Sequence, residues 1–282
     1  MVTEVTGAAA MSDDHAVKGV NLALKEINDA GGVLGLPLES VVEDTQSKNP
    51  SAVAAYNKTV QTDNVVAVIA PIRSTQIQAM DGAIREAKPV TLMGGTNTGL
   101  TEKGNPWLFR FRPPDKYASQ AVVRYLVDTL KLTKVGIVHD SDAFGTGGAD
   151  AVEAALKTKN LSVCSRQKYT TGDKDYMSQL LSIKNAGCEA MVSYGTNSED
   201  VAIYLRQRKE IASNIVVMGS PSSVSEVTLR LGGEANEGIY AVTDYLAEAN
   251  KTSPKFVENY GKAYNGAVPV NYASWMYDAL YA

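Results

Sequence analysis

The sequence predicts an α/β protein made of two doubly wound parallel-sheet lobes joined by a hinge. Three observations carry that prediction. Strand-like apolar runs alternate with helix-spaced apolar stripes from end to end of the 282 residues. Two of the runs empty directly into small polar loops, as parallel strands do at their carboxyl ends. Pro113-Pro114-Asp115 then breaks the chain, and a second series of the same kind begins.

The elements follow in order. Residues 1–5 have the character of a strand's tail. Ser12, Asp13 or Asp14 caps the first helix, Val17, Val20, Leu24 and Ile27 keep its spacing, and Gly31-Gly32 ends it. A strand near 38–42 and a helix over about 50–62 come next. The run Val65-Val66-Ala67-Val68-Ile69-Ala70 opens into Pro71-Ile72-Arg73-Ser74-Thr75, and Ile77, Met80 and Ile84 mark the following helix. Val90-Thr91-Leu92-Met93 opens into Gly94-Gly95-Thr96-Asn97, and 107–111 is a further strand.

In the second series a helix covers about 117–130 and Lys134-Val135-Gly136-Ile137-Val138-His139 is a strand. Helices near 148–157, 175–185 and 199–208 alternate with strands at 161–169, 188–194 and 215–218. Tyr176, Leu180 and Ile183 form the one-sided stripe of a helix covering a sheet. The last strand is 238–243, and 254–264 and 271–281 are helical. The lobes are therefore expected at 1–114 with 248–282, and at 115–247, with crossings near 113–116 and 244–249. Two lobes so joined leave a cleft that closes by hinge motion.

Composition narrows the function. Twenty-seven Lys and Arg stand against 31 acids, a net charge of −4 with no basic run, which argues against a nucleic-acid partner. The apolar runs are far too short to cross a bilayer. The start shows no charged segment followed by an apolar one, so no signal peptide is expected in the chain. With only His15 and His139, and no HExxH, GxSxG, P-loop or CxxC spacing, no catalytic pair, metal site or cofactor site is nominated. His139 is read as ending a core strand. Cys164 is read as mid-strand and Cys188 as opening the next strand. Those strands should flank the lobe's first strand rather than each other, so two semi-buried thiols are expected.

The two strand–loop junctions carry the chemistry. Backbone N–H groups and helix N-termini at a strand's carboxyl end favour anions, which points to a small ligand bearing a carboxylate. Thr96 offers both a hydroxyl and an N–H, and Gly94 and Gly95 let the main chain approach closely. Thr96 is otherwise a turn threonine capping local backbone. Ser74 or Thr75 serves as a ligand contact, as a plain helix N-cap, or as both. Arg73 sits beside the anion site and is either a bidentate partner or, as arginines more often are, a solvated loop residue.

Across these segments the sequence resembles the periplasmic solute-binding proteins of the leucine/isoleucine/valine type, receptors of ABC importers with the type I fold. The resemblance rests on an ordered set. It comprises Thr6-Gly7-Ala8-Ala9, the Ala23-Leu24-Lys25-Glu26-Ile27-Asn28-Asp29-Ala30-Gly31-Gly32 stretch, Glu43-Asp44-Thr45-Gln46, the loop from Gly94 to Thr101 and Phe109-Arg110-Phe111-Arg112. Val138-His139-Asp140 before Phe144-Gly145, the segment from Tyr169 to Asp175, and Tyr272-Ala273 before Tyr277-Asp278-Ala279 complete it.

The resemblance implies a non-enzymatic, monomeric, extracytoplasmic receptor that takes an amino acid or related aliphatic or aromatic acid and delivers it to a membrane permease. The same module used as the sensing part of a regulator is the alternative. It implies carboxylate binding at the loops of 72–75 and 94–96, and closure of the second lobe through Phe144, Thr196, Asn197 and Ser220. Phe144 alternatively opens a helix as a core residue. Where amino-acid binders of the family carry an acid for the α-ammonium, this chain has Ser220-Pro221, so Asp13, Asp142 or Glu199 is needed, or neutral oxygens suffice, or the ligand lacks the amine. Met11 and Ser12, in a small first loop, suggest extra room. The C-terminal part of the family fold is expected to be absent from this chain.

Overall fold

The computed structural model describes residues 1–61, 65–211, 214–248 and 253–282, and for Ser12 the main chain alone. The expected second helix ends at residue 62 and the expected second crossing at 249, both outside the described residues. The chain forms two compact α/β units. Unit 1 comprises Met1–Thr96, Leu100–Arg112 and Asp244–Ala282, and unit 2 comprises Asn97–Gly99 and Pro113–Thr243.

Unit 1 holds two parallel sheets. Strands β1 (Val2–Thr3) and β2 (Glu43–Asp44) pair with each other; β3 (Ala67–Ile69), β4 (Val90–Met93) and β5 (Leu108–Arg110) form a second sheet in that order. Helices α1 (Ala10–Asp29), α2 (Asn49–Gln61) and α3 (Ser74–Ala87) connect them, with the short α4 (Gly99–Glu102) before β5. Val2, Tyr56, Val68, Ile77, Met80, Ile84 and Met93 fill one core. The late helices α10 (Pro254–Ala263) and α11 (Asn271–Tyr281) return to this unit, and α11 packs along α1. Ala16, Val20, Ile69, Leu92, Trp275 and Met276 make the core between them.

Unit 2 is built on five parallel strands in the order β10-β9-β8-β6-β7. These are β6 (Val135–Asp140), β7 (Ser165–Tyr169), β8 (Ala190–Tyr194), β9 (Val216–Gly219) and β10 (Tyr240–Ala241). Helices α5 (Asp115–Arg124), α6 (Ala143–Lys157), α7 (Met177–Asn185), α8 (Ser198–Glu210) and α9 (Glu226–Gly232) cover it, and α5 runs on into one π turn, Tyr125–Thr129. β6 and β8 are buried at every position, as strands covered on both faces must be.

Several boundaries differ from expectation for identifiable reasons. No strand forms over 38–42, and Val41 and Val42 stay substantially exposed; β2 begins at Glu43, where the chain reaches its partner β1. Helix α1 starts at Ala10 with Ala9 at its N-cap and no side-chain cap, because Asp13 turns inward instead. Helix α6 starts at Ala143, earlier than its apolar spacing suggests, because the Asp142 carboxylate accepts from Gly145 N at 2.8 Å and supplies the cap.

The expectation of two thiols is overturned: Cys164 and Cys188 form a disulfide with their Cα atoms 6.0 Å apart. The strands do flank β6, but Cys164 precedes β7 rather than lying within it, and Cys188 precedes β8. The bridge crosses over Gly136 of β6, where a Cβ would lie 3.1 Å from Cys188 Sγ. A missing side chain at the central strand leaves the room that the topology alone does not suggest.

Candidate functional site

The carboxyl ends of β3, β4 and β5 gather most of the residues singled out in unit 1. Beyond β3, Ala70 and Pro71 are buried and α3 begins at Ser74. Its N-cap is Arg73, in extended conformation and with no side-chain cap, and its first turn carries no acid. Ser74 and Thr75 are therefore helix residues whose N–H groups belong to the helix's positive end, not caps.

Beyond β4, successive main-chain carbonyls are taken up in turn. Leu92 O accepts from Ala70 N at 2.7 Å and Met93 O from Phe111 N at 3.0 Å, which completes the sheet. Gly94 O then accepts from Arg112 Nη1 at 3.4 Å, and Gly95 O accepts from Arg110 Nη1. A trans peptide is planar, so its N–H points opposite to its carbonyl. The Gly95 N–H thus faces away from Arg112, and the Thr96 N–H away from Arg110. Thr96 is 4% exposed.

Gly94 is required by packing. A Cβ there would lie 2.5 Å from Cζ2 and 2.6 Å from Cε2 of Trp275, so the indole of α11 lies directly on the backbone of this loop.

Two charged clusters border these ends. In the first, Glu4 and Asp13 are fully buried, with Arg73 Nε 2.9 Å from Glu4 Oε1. Asp13 accepts from Glu4 N at 2.7 Å and from the Thr3 hydroxyl. Burial raises the Glu4 carboxyl to about 7 against the opposing pull of Arg73, and raises Asp13 in the same direction. The solvated reading of Arg73 is thereby corrected: its side chain is 14% exposed and ion-paired. In the second cluster Arg112 binds Asp244 through Nε at 2.6 Å and Nη2 at 3.2 Å, and Asn271 Nδ2 donates to Asp244 at 3.2 Å. Desolvation works against the Asp244 carboxylate, but Arg112 and Asn271 hold it below the usual carboxylate range.

Met11 and Ser12 lie in the first turn of α1, where Met11 is exposed, so they form no loop ahead of the helix.

In unit 2, Phe144 is half-buried against the core, its ring 5.4 Å from that of Tyr194. Thr196 donates to Asp142 Oδ2 at 2.7 Å; Asn197 is the N-cap of α8 without a side-chain cap; Ser220 is buried beside Ser222. Of the candidate ammonium partners, Asp13 is committed inside unit 1, and Asp142 caps α6 while remaining half-buried. Glu199 is exposed on α8. Asp140 is fully buried, accepts from Thr171 at 2.7 and 2.8 Å, and is raised to about 6 by burial and by the neighbouring Asp142 charge.

His139 does structural duty. Its Nε2 accepts from Arg166 Nε at 3.1 Å, which leaves the proton on Nδ1 to donate to Asp140 O at 2.7 Å. Among the described residues no cluster of three or more His, Cys, Asp or Glu has metal-binding geometry, and no helix is long and apolar enough to cross a membrane.

Sequence reasoning assigned no role to Glu4, Arg110, Arg112, Asp244 or Trp275. Alternation in Phe109-Arg110-Phe111-Arg112 puts both arginines on one side of an extended segment, and that signal was available. Nothing local ties Arg112 to a residue at 244 or Gly94 to one at 275.

The chain belongs to the periplasmic binding protein family, whose model matches residues 1–282. It is 30% identical over 206 residues to an amino acid binding protein of Pseudomonas aeruginosa, covering 73% of this chain and 55% of that protein. It is also 30% identical over 254 residues to the leucine-, isoleucine-, valine-, threonine- and alanine-binding protein of that organism, covering 89% and 66%. The chain thus spans little more than half to two thirds of these relatives. Three solved structures match 99% of the chain. A leucine binding protein from Thermotoga maritima has TM-score 0.91, 22% identity and 79% of its own length covered. The branched-chain amino acid binding protein of Streptococcus pneumoniae in complex with isoleucine has TM-score 0.89, 24% identity and 80% covered. A solute binding protein from R. palustris in complex with benzoate has TM-score 0.86, 18% identity and 76% covered. At these identities the structures establish the fold alone.

Proposed function

We propose that the chain is the solute receptor of an ABC importer, extracytoplasmic and monomeric, and that it binds an amino acid or related small carboxylate without transforming it. The carboxylate is held by the loops of unit 1: the N–H groups of Gly95 and Thr96, the Thr96 hydroxyl, and the start of α3 at Ser74 and Thr75. Phe144, Thr196, Asn197 and Ser220 of unit 2 complete the site on hinge closure, and the closed form is what the permease recognises. Where the ligand carries an amine, Asp142 is its counter-charge.

One observation carries this reading. Arg110 and Arg112 take the carbonyls of Gly95 and Gly94, which turns two adjacent amides the other way at a strand's carboxyl end. The relatives named for leucine, isoleucine, valine, threonine and alanine support an amino-acid ligand, and the benzoate complex supports a ligand with no amine. Mass spectrometry of material released from the purified chain by denaturation, with thermal shift against L-leucine, L-isoleucine and benzoate, tests it. A small carboxylate released, or a raised Tm with one of the three, is expected. No released ligand and no shift with any of them would contradict it.

A further inference from the structure

The indole of Trp275 is 3% exposed, and its Nε1–H has no hydrogen-bond partner. A buried donor left unmet is costly, and native structures meet nearly all of them with protein, water or ligand. Its position is specific. Cε2, the atom bonded to Nε1, is among those lying against Gly94, so the donor stands beside the first residue after β4, the one that leads into Gly95 and Thr96. Ile69 and Leu92 belong to the same hydrophobic cluster as Trp275, and Ile72 and Phe111 pack against that cluster. The indole N–H donates only, so what it lacks is an acceptor.

We infer that Trp275 is a further ligand-binding residue, whose Nε1–H donates to the same small carboxylate that the Gly95 and Thr96 amides receive. The inference rests on the proposed receptor function and extends it to α11, an element far along the chain from both strand–loop junctions. A carboxylate oxygen takes several hydrogen bonds at once, and a donor in an apolar, largely dry setting binds the charged acceptor more strongly than water would. The geometry also assigns α11 a purpose besides packing: it brings one rigid side-chain donor to a loop that otherwise offers main-chain N–H groups and the Thr96 hydroxyl.

The chain has two tryptophans, Trp107 and Trp275, so Trp107→Phe leaves a single indole to observe. In that background the indole ¹H–¹⁵N resonance of Trp275 is followed while L-isoleucine and, separately, benzoate are added; in parallel, Trp275→Phe is titrated with the same two probes and its Tm recorded. The resonance is expected to move downfield with the probe that binds. Trp275→Phe is expected to weaken that probe roughly 10- to 100-fold, the loss of one hydrogen bond to a charged acceptor. Binding by the parent with an unmoved resonance, or with Trp275→Phe affinity within twofold, overturns the inference and leaves the receptor function standing; the donor then serves an ordered water. Binding of neither probe by the parent overturns both.

Discussion

Arg112 and Asp244, 132 residues apart in sequence, form a two-pronged ion pair at the two points where the chain leaves and re-enters unit 1. Arg112 is the last residue of one segment of the unit and Asp244 the first of the next. The same guanidinium reaches Gly94 O. One side chain therefore joins both borders of the unit to the loop that presents the amides.

Removing one partner of this pair is expected to be severe. Asp244→Ala leaves the Arg112 charge almost buried without the carboxylate that pairs with it, which should cost about 3–5 kcal/mol of stability. Chemical denaturation of the variant measures it. Because Arg112 holds the folded Asp244 carboxyl below its unfolded value, its contribution is present above the unfolded carboxylate range and is lost as pH falls through the lowered folded value. Wild-type stability should therefore fall at acid pH with a component missing from Asp244→Asn.

Glu4 has the opposite linkage. Its carboxyl, raised to about 7 by burial, takes up a proton in the folded chain between about pH 4.5 and 7, whereas the unfolded chain is already ionised. That contribution is complete below the unfolded value and is lost as pH rises through 7. Glu4→Gln should flatten the decline in Tm between pH 5 and 8; an unchanged slope would place the linkage elsewhere.

Thr96→Val keeps the shape of a buried side chain and deletes its hydroxyl. It is expected to weaken carboxylate binding by about 1–3 kcal/mol, the cost of a missing bond to a charged or unmet polar group. Titration calorimetry on wild type and variant reports it, and equal dissociation constants would remove Thr96 from the site.

The Cys164–Cys188 bridge closes a loop with a sequence separation of 24 within unit 2. Cross-linking a loop of that size restricts the unfolded chain and stabilises by about 2–4 kcal/mol. Reduction, or the double change Cys164→Ser with Cys188→Ser, should lower stability by that amount. An unchanged denaturation midpoint in reductant would contradict it.

Much of this architecture was legible in local sequence. Parallel strands buried on both faces, such as β6 and β8, are continuous apolar runs, and the helices between them carry clean one-sided stripes. The loops after β3 and β4 announced themselves by glycine and hydroxyl residues at strand ends. What stayed hidden depends on tertiary partners. Asp13, a good cap by type, is drawn inward by Thr3 and the Glu4 amide. Arg73 was read as exposed because nothing in its neighbourhood reveals that Glu4 lies beside it. The disulfide depended on Gly136 in a third strand, and Trp275 on Gly94 nearly two hundred positions away. Strand β2 lies later than Val41 and Val42 suggest because its ladder with β1 pairs Glu43 and Asp44 with Val2 and Thr3, and Val41 meets only the Met1 amine, ahead of β1.

The most direct test compares a carboxylate with its uncharged amide by isothermal titration of the purified chain, using L-leucine, L-isoleucine and benzoate and their carboxamides. One carboxylate bound per chain, with its carboxamide at least tenfold weaker, is the predicted result, since main-chain N–H donors favour the ionised acceptor. Equal affinity for acid and amide, or no heat from any of the six, would contradict a site built on the amides of Gly95 and Thr96.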